Sequence, residues 1–235
     1  MIRELIQSVL SRRGAKRPFM RPAYRRRTER RRVWLRRAVT AAAIVAAVIL
    51  LRTLLLSAGV VLQTQREFPC DPVYFYQQEP AWSEDVIGAS GKTLGLDGDE
   101  VCCLASLMAM QGIPAPFPGE LNPAALNAWL SENDAYDADG HLIWDKVAKL
   151  LGAKLSGGYG ASAASLLEEL IQRRVYAVVR VKRTDTGKWH KVLIVGSVHG
   201  EFTIVDPLDP TGTLNTLGLY RNKIYDLRYL TREEA

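Results

Sequence analysis

WHKVLIVGSVHGEFTIVDP, residues 189–207, is the stretch whose reading decides the fold. Val192 to Val195 and Phe202 to Val205 are runs rich in β-branched and aromatic residues, and His199-Gly200 between them is a turn signal. The pattern predicts two antiparallel strands joined by a short turn over 197–201. His190 begins the first strand, and Asp206, just before Pro207, ends the second. That pairing would bring an imidazole and a carboxylate side by side. Upstream, Tyr176 to Val181 is a further strand, separated by the turn residues Asp185-Thr186-Gly187; downstream, residues 224–230 (IYDLRYL) form the last.

Before residue 176 the period is helical. Residues 101–111 carry apolar Leu104, Leu107, Met108 and Met110, and the segment from Gly112 to Pro118, with three prolines, stops that helix. Asn122-Pro123 has the cap-then-proline order that opens a helix, continuing to about Glu132. Residues 142–151 (LIWDKVAKLL) form an amphipathic helix ended by Gly152, and Ser162 to Arg173 another. Helices first and an antiparallel sheet afterwards is the α+β pattern.

The net charge of +6 is unevenly spread. Residues 1–37 hold 14 Lys or Arg against two acids, Glu4 and Glu29, a balance of +12, which leaves −6 for the remainder. Residues 2–10 suit a short amphipathic turn or two, and the like charges of 14–32 argue for poor order. The whole-chain pI therefore says nothing about the body of the protein, and a nucleic-acid partner is the least favoured. Residues 38–62 follow with Arg52 as their single charge. About 20 apolar residues cross a hydrocarbon core, so this run is expected to be a transmembrane helix in contact with lipid. A mid-membrane Arg costs roughly 2.5–3.5 kcal/mol; Arg52 is expected to snorkel or to face a membrane-protein partner. The basic arm before the span predicts a cytoplasmic N-terminus and an extracytoplasmic C-terminal domain. Arg31-Arg32-Val33-Trp34-Leu35-Arg36 also resembles a twin-arginine export signal, which would export the same domain. The expected organisation is a basic arm (1–37), a transmembrane helix (38–62), an exposed linker (63–69) and one domain (70–235).

Three cysteines, Cys70, Cys102 and Cys103, are too few for a disulfide framework, and adjacent thiols do not suit one tetrahedral metal. No metal and no organic cofactor is expected. What remains is thiol chemistry. An acyl-transfer cysteine needs a helix N-terminus to lower its pKa, an imidazole to take its proton, a group to orient the ring and a donor for the oxyanion. Cys102 and Cys103 stand where the first helix begins, His190 and Asp206 close the hairpin, and Gln77 lies upstream as a donor. Taken singly these signals are modest, because a cysteine at a helix start is more often a small buried apolar residue. His141 and His199 read as surface turn residues, and Asp137-Ala138-Asp139-Gly140 lacks the bidentate Glu of a calcium loop. Cys70, just beyond the membrane, could pair with one of the adjacent cysteines.

Residues of about 74–230 resemble the C39-like branch of the papain-like cysteine peptidases. Tyr76-Gln77-Gln78-Glu79-Pro80-Ala81-Trp82 is similar to the segment bearing the oxyanion glutamine, and Ile87 to Gly95 (IGASGKTLG) to the glycine-rich stretch before the nucleophile. Cys102 to Met110 (CCLASLMAM) resembles the nucleophile helix, and Leu126-Asn127-Ala128-Trp129-Leu130 through Ile143-Trp144 the second helical region. His190 with Val192-Leu193-Ile194-Val195-Gly196, then Ile204-Val205-Asp206-Pro207, resembles the histidine and acid strands. The resemblance implies a papain-like fold and catalysis by Cys102, His190, Asp206 and Gln77. Cys102 is favoured over Cys103 because it places the small residue Ser106 four positions on. Two departures stand out. Asp99-Glu100-Val101 intervene after Gly98, where the family has its cysteine soon after a glycine. Asp97, Asp99 and Glu100 also crowd the helix start, opposing a thiolate.

The leading expectation is thus a membrane-anchored cysteine hydrolase that cleaves a peptide or peptide-like amide. The alternative is a catalytically silent papain-like domain, acting as a peptide-binding or assembly component of a membrane complex.

Overall fold

The computed structural model describes residues 23–57, 59–158 and 164–232. Residues 2–10, 14–22, 162 and 163, named above, lie outside them. The chain divides into two compact units, 1–53 and 54–235.

The first unit is built on α1 (Ala23–Ser57), which continues into the second unit at its C-terminal end. Its helix starts within the segment 14–32, so residues 23–32 are helical where poor order was expected. Val33–Leu51 is long and apolar enough to cross a membrane, with a mean hydropathy of 1.9 and no buried residues. The side chain of Arg52 lies outside the described part.

In the second unit a six-stranded antiparallel sheet runs in the order β2-β8-β3-β4-β5-β6. Its strands are β2 (Ala153–Gly157), β3 (Ala177–Lys182), β4 (Trp189–Val198), β5 (Glu201–Val205), β6 (Asn215–Thr216) and β8 (Asp226–Arg232). A separate pair joins β1 (Val60–Val61) to β7 (Lys223–Ile224). The helices are α2 (Leu94–Asp97), α3 (Asp99–Gln111), α4 (Pro123–Glu132), α5 (Trp144–Leu150) and α6 (Ala164–Gln172), with a 3-10 turn at Leu217–Tyr220. The α+β class is as the sequence predicts.

Alternation in the central strand shows why the sheet is covered on both sides. Leu193 and Val195 of β4 enter one apolar cluster with Leu104, Leu107 and Met108 of α3, Leu126 and Leu130 of α4, and Val147 of α5. Val192 and Ile194 enter a second, with Leu167 and Ile171 of α6 and Leu217 of the 3-10 turn. α3 thus lies directly against β4, the contact that positions the site.

Local signals act as expected. The Asn122 side chain accepts a hydrogen bond from the Ala125 amide at 2.9 Å, capping α4. Gly112 ends α3 in the left-handed conformation, with φ of 62°. The β4–β5 turn is made by His199 and Gly200, both at positive φ. Two differences have clear causes. β2 has the sequence AKLSG, without the β-branched residues that mark a strand, and forms because β8 offers it a partner edge. In the segment expected as the end of the span and an exposed linker, Gln63, Gln65, Arg66, Glu67 and Pro69 are exposed, but the chain also touches the sheet. Leu62 and Thr64 are buried, and Phe68 bridges to Ser197. The final expected strand is two, β7 and β8, broken at Tyr225.

Candidate functional site

The hairpin expected from residues 189–207 forms, and it does what its sequence implies. Leu193 pairs with Val205 across β4 and β5, so the first residues of β4 lie beside the residues that follow β5. His190 Nε2 is 2.8 Å from Asp206 Oδ1. Asp206 is well braced. Its Oδ1 also accepts from the Leu208 amide at 2.9 Å, and its Oδ2 accepts from the Tyr220 hydroxyl at 2.6 Å.

The other nitrogen of the ring meets an unexpected partner. His190 Nδ1 lies 2.8 Å from Asp99 Oδ2, which also accepts from the Lys191 amide at 2.8 Å. Asp99 is the first residue of α3, immediately after Gly98. A side chain at position 98 would collide with the Leu94 carbonyl, so glycine is what lets α2 turn directly into α3. A carboxylate in the first turn of a helix is favoured by the helix dipole.

Neither thiol bonds the ring. Helical spacing puts Cys102 and Cys103 three and four residues beyond Asp99, one turn further along the same side of α3. Both are fully buried. Cys103 Sγ reaches the Lys191 carbonyl oxygen at 3.6 Å. Burial, reinforced by the negative charge of Asp99, pushes both thiols up from their ordinary pKa. These are features of packed, inert cysteines rather than of a nucleophile. The expected Cys102–His190 pair is therefore replaced by an Asp99–His190 pair. Cys70, too, is a free thiol. The signal that could have found Asp99 was its place directly after Gly98 at the helix start, one of the acids noted above as crowding that end.

With both nitrogens facing carboxylates, the ring donates twice and is an imidazolium. Burial opposes its charge, but the hydrogen bonds and charges of Asp206 and Asp99 overcome that and raise its pKa to about 9. Asp99 and Asp206 are likewise held below the ordinary carboxylate value; burial works against this and the bonds to His190 prevail. An imidazolium cannot accept a proton from a nucleophile until it has lost its own.

Glu100, the next residue, is buried and fully used. It accepts from Trp144 Nε1 at 2.7 Å, from the Leu142 amide at 3.2 Å and from Lys191 Nζ at 2.6 Å, tying the start of α3 to α5 and β4. Gln77 lies near the site, but its amide is turned. Nε2 donates to the Gly95 carbonyl at 3.1 Å, and Oε1 has no partner. His141 and His199 are exposed turn residues, as expected.

Two cavities, of about 310 and 400 Å³, open on this arrangement and share Asp97, Asp99, Trp189 and His190 in their walls. Among the described residues no group of His, Cys, Asp and Glu is arranged to hold a metal ion. No protein-family model matches the chain, and no curated protein matches it. Fold and site define an α+β domain behind an apolar N-terminal helix, with an aspartate–histidine–aspartate arrangement at its centre.

Proposed function

We propose that the chain is a single-pass membrane protein whose extracytoplasmic part is a papain-like domain that binds a peptide without cleaving it. The observation that carries this reading is the Asp99 carboxylate on His190 Nδ1, at 2.8 Å, where a cysteine hydrolase needs its thiol. The order of the parts supports the papain-like assignment. A glutamine precedes a glycine turn, a helix starts at the reactive position, and a histidine strand and an acid strand follow. The cysteine-hydrolase reading has no thiol at the ring to rest on, and its base already carries a proton at neutral pH.

The apolar helix within residues 38–62 would contact lipid and tether the domain, and the arginines before it would keep the N-terminus cytoplasmic. Arg52 would suit a membrane-protein partner. A domain of this kind serves as the recognition part of a membrane assembly.

A thiol-directed electrophilic amide probe tests the reading on the full chain in detergent. Cys102 and Cys103 should remain unlabelled at neutral pH, whatever the partly exposed Cys70 does. Labelling that disappears in Cys102→Ala or Cys103→Ala, with the fold intact, would restore the hydrolase.

A further inference from the structure

The cavity of about 400 Å³ has two lips of opposite charge: Leu96 and Asp97 stand on one, Arg183, Lys188 and Trp189 on the other. The first lip is α2 with the turn before it. Ser83 and Asp85 accept through their backbone carbonyls from the Gly95 and Leu94 amides at 2.8 and 2.9 Å, so residues 79–85 and α2 form one surface. Its exposed acids are Glu79, Glu84, Asp85 and Asp97, and none of their carboxylates has a partner among the described residues. Lys92 is the single base between positions 79 and 97. The second lip is the β3–β4 hairpin. Lys182 and Lys188 are exposed there and have no carboxylate partner among the described residues. The hairpin turn has one acid, Asp185, which Arg183 holds at 2.6 and 3.1 Å.

Each lip also presents one large apolar side chain to solvent. Leu96 is 75 % exposed, and Trp189 remains 52 % exposed although Arg180 and Lys182 lie over its ring. Apolar groups rimmed by charges of both signs have the makeup of a contact between proteins. An anionic lipid surface or a nucleic acid would be repelled by the acidic lip.

Adjacent patches of opposite charge are complementary to their own copy. A half-turn about an axis between the lips sets the acidic lip of each copy on the basic lip of the other, which is the isologous arrangement of a two-fold dimer. From the opposed charges of the two lips and the exposed Leu96 and Trp189 between them, we infer that this face pairs two copies of the chain, with Asp97 of each opposite Lys188 of the other. The pairing uses neither the thiols nor the Asp99–His190 bond, so it stands or falls apart from the peptide-binding reading.

Energy transfer between full-length copies in detergent, half with a donor and half with an acceptor tag at the C-terminus, tests this. Native copies should associate, and at least about tenfold more weakly when salt is raised from about 0.05 to 0.5 M. Asp97→Lys alone and Lys188→Glu alone each set like charges at both contacts, and each should weaken self-association at least about tenfold. Mixed with one another, the two variants should associate nearly as the native chain does, because the mixed pair again has opposite charges at both contacts. That recovery would also show both variants to be folded. Native copies that stay monomeric at about 100 μM overturn the inference. Association that neither variant weakens would belong to the apolar helix or another face and overturns it too. Weakening by Lys188→Glu without weakening by Asp97→Lys would leave the basic lip to an anionic partner and reject the pairing, as would a mixture that associates no better than either variant alone.

Discussion

Asp99 and His190, 91 positions apart, meet at 2.8 Å between the first residue of α3 and the second residue of β4. The contact joins the helical layer to the sheet and turns a ring suited to general-base work into a fixed cation between two carboxylates. Because Asp206 takes the opposite nitrogen at the same distance, the ring has no free lone pair while it holds both protons.

Replacing one of these carboxylates should be felt at the ring. Asp99→Asn removes a charge while leaving the shape, so the His190 pKa should fall from about 9 toward its ordinary 6.5. An NMR titration of the imidazole C2 proton reads this directly. Loss of one buried charged hydrogen bond should also cost about 1–3 kcal/mol in denaturant unfolding.

Stability should decline on the alkaline side. Below pH 6.5 the ring is charged in both folded and unfolded chains, and its contribution is fully present. As pH rises, the unfolded ring loses its proton first, while the folded one keeps it until about 9, so the contribution is lost across that window. The total loss should be at most about 3 kcal/mol. Asp99 and Asp206 work in the opposite direction: their contribution is present above about 3.8 and lost as pH falls through their depressed folded values. Urea midpoints measured from pH 4 to pH 10 should be highest near pH 5 to 6 and drop between pH 7 and 9. A flat profile over the alkaline range would contradict the bonded imidazolium.

Asp99→Cys should create a reactive thiol at the start of α3, where the native protein has none. The substitution sets a sulfur at the helix start beside an imidazole that Asp206 still orients, which are the conditions for a thiolate. Mass spectrometry after treatment with an electrophilic amide probe should find the label at position 99 and on neither native cysteine of α3. An unreactive thiol in a folded variant would show that helix start and ring are not placed as described.

The native cysteines should matter through packing alone. Cys102→Ala and Cys103→Ala each remove one buried sulfur, and a loss of about 1–2 kcal/mol is expected, without any change in peptide binding. With an Ellman-type reagent, Cys102 and Cys103 should react only on global unfolding.

Glu100→Ala should be the most damaging single change at the site. It strips the partners from Trp144 Nε1, the Leu142 amide and Lys191 Nζ at once, leaving a mostly buried ammonium without its bonded carboxylate and with only the charge of Asp99 to offset it. A cost of about 3–5 kcal/mol is expected. A thermal melt showing little change would mean that water replaces all three bonds.

Much of this could be read from residues alone, and the reason lies in the range of the forces. Asn122-Pro123, Gly112 and His199-Gly200 act on the few residues around them, so helix and turn positions emerged close to where composition and period put them. The meeting of His190 with Asp206 was legible too, because one short hairpin determines it. The strand β2 and the seating of residues 60–68 were not, since each depends on an edge or surface supplied by distant chain.

Which side chain faces the imidazole belonged to that second kind. In sequence, Asp99, Cys102 and Cys103 are neighbours with equal claims on the start of one helix. Their ranking follows from the rotation of α3 about its axis and its height against β4, and packing of Leu104, Leu107 and Met108 against the sheet sets both. Local chemistry therefore determined the parts: a helix start, a histidine strand, an acid strand and an apolar N-terminal helix. Only long-range packing decided that the ring would be met by an oxygen, because a shift of one helical turn, about 5.4 Å, would have put sulfur there instead.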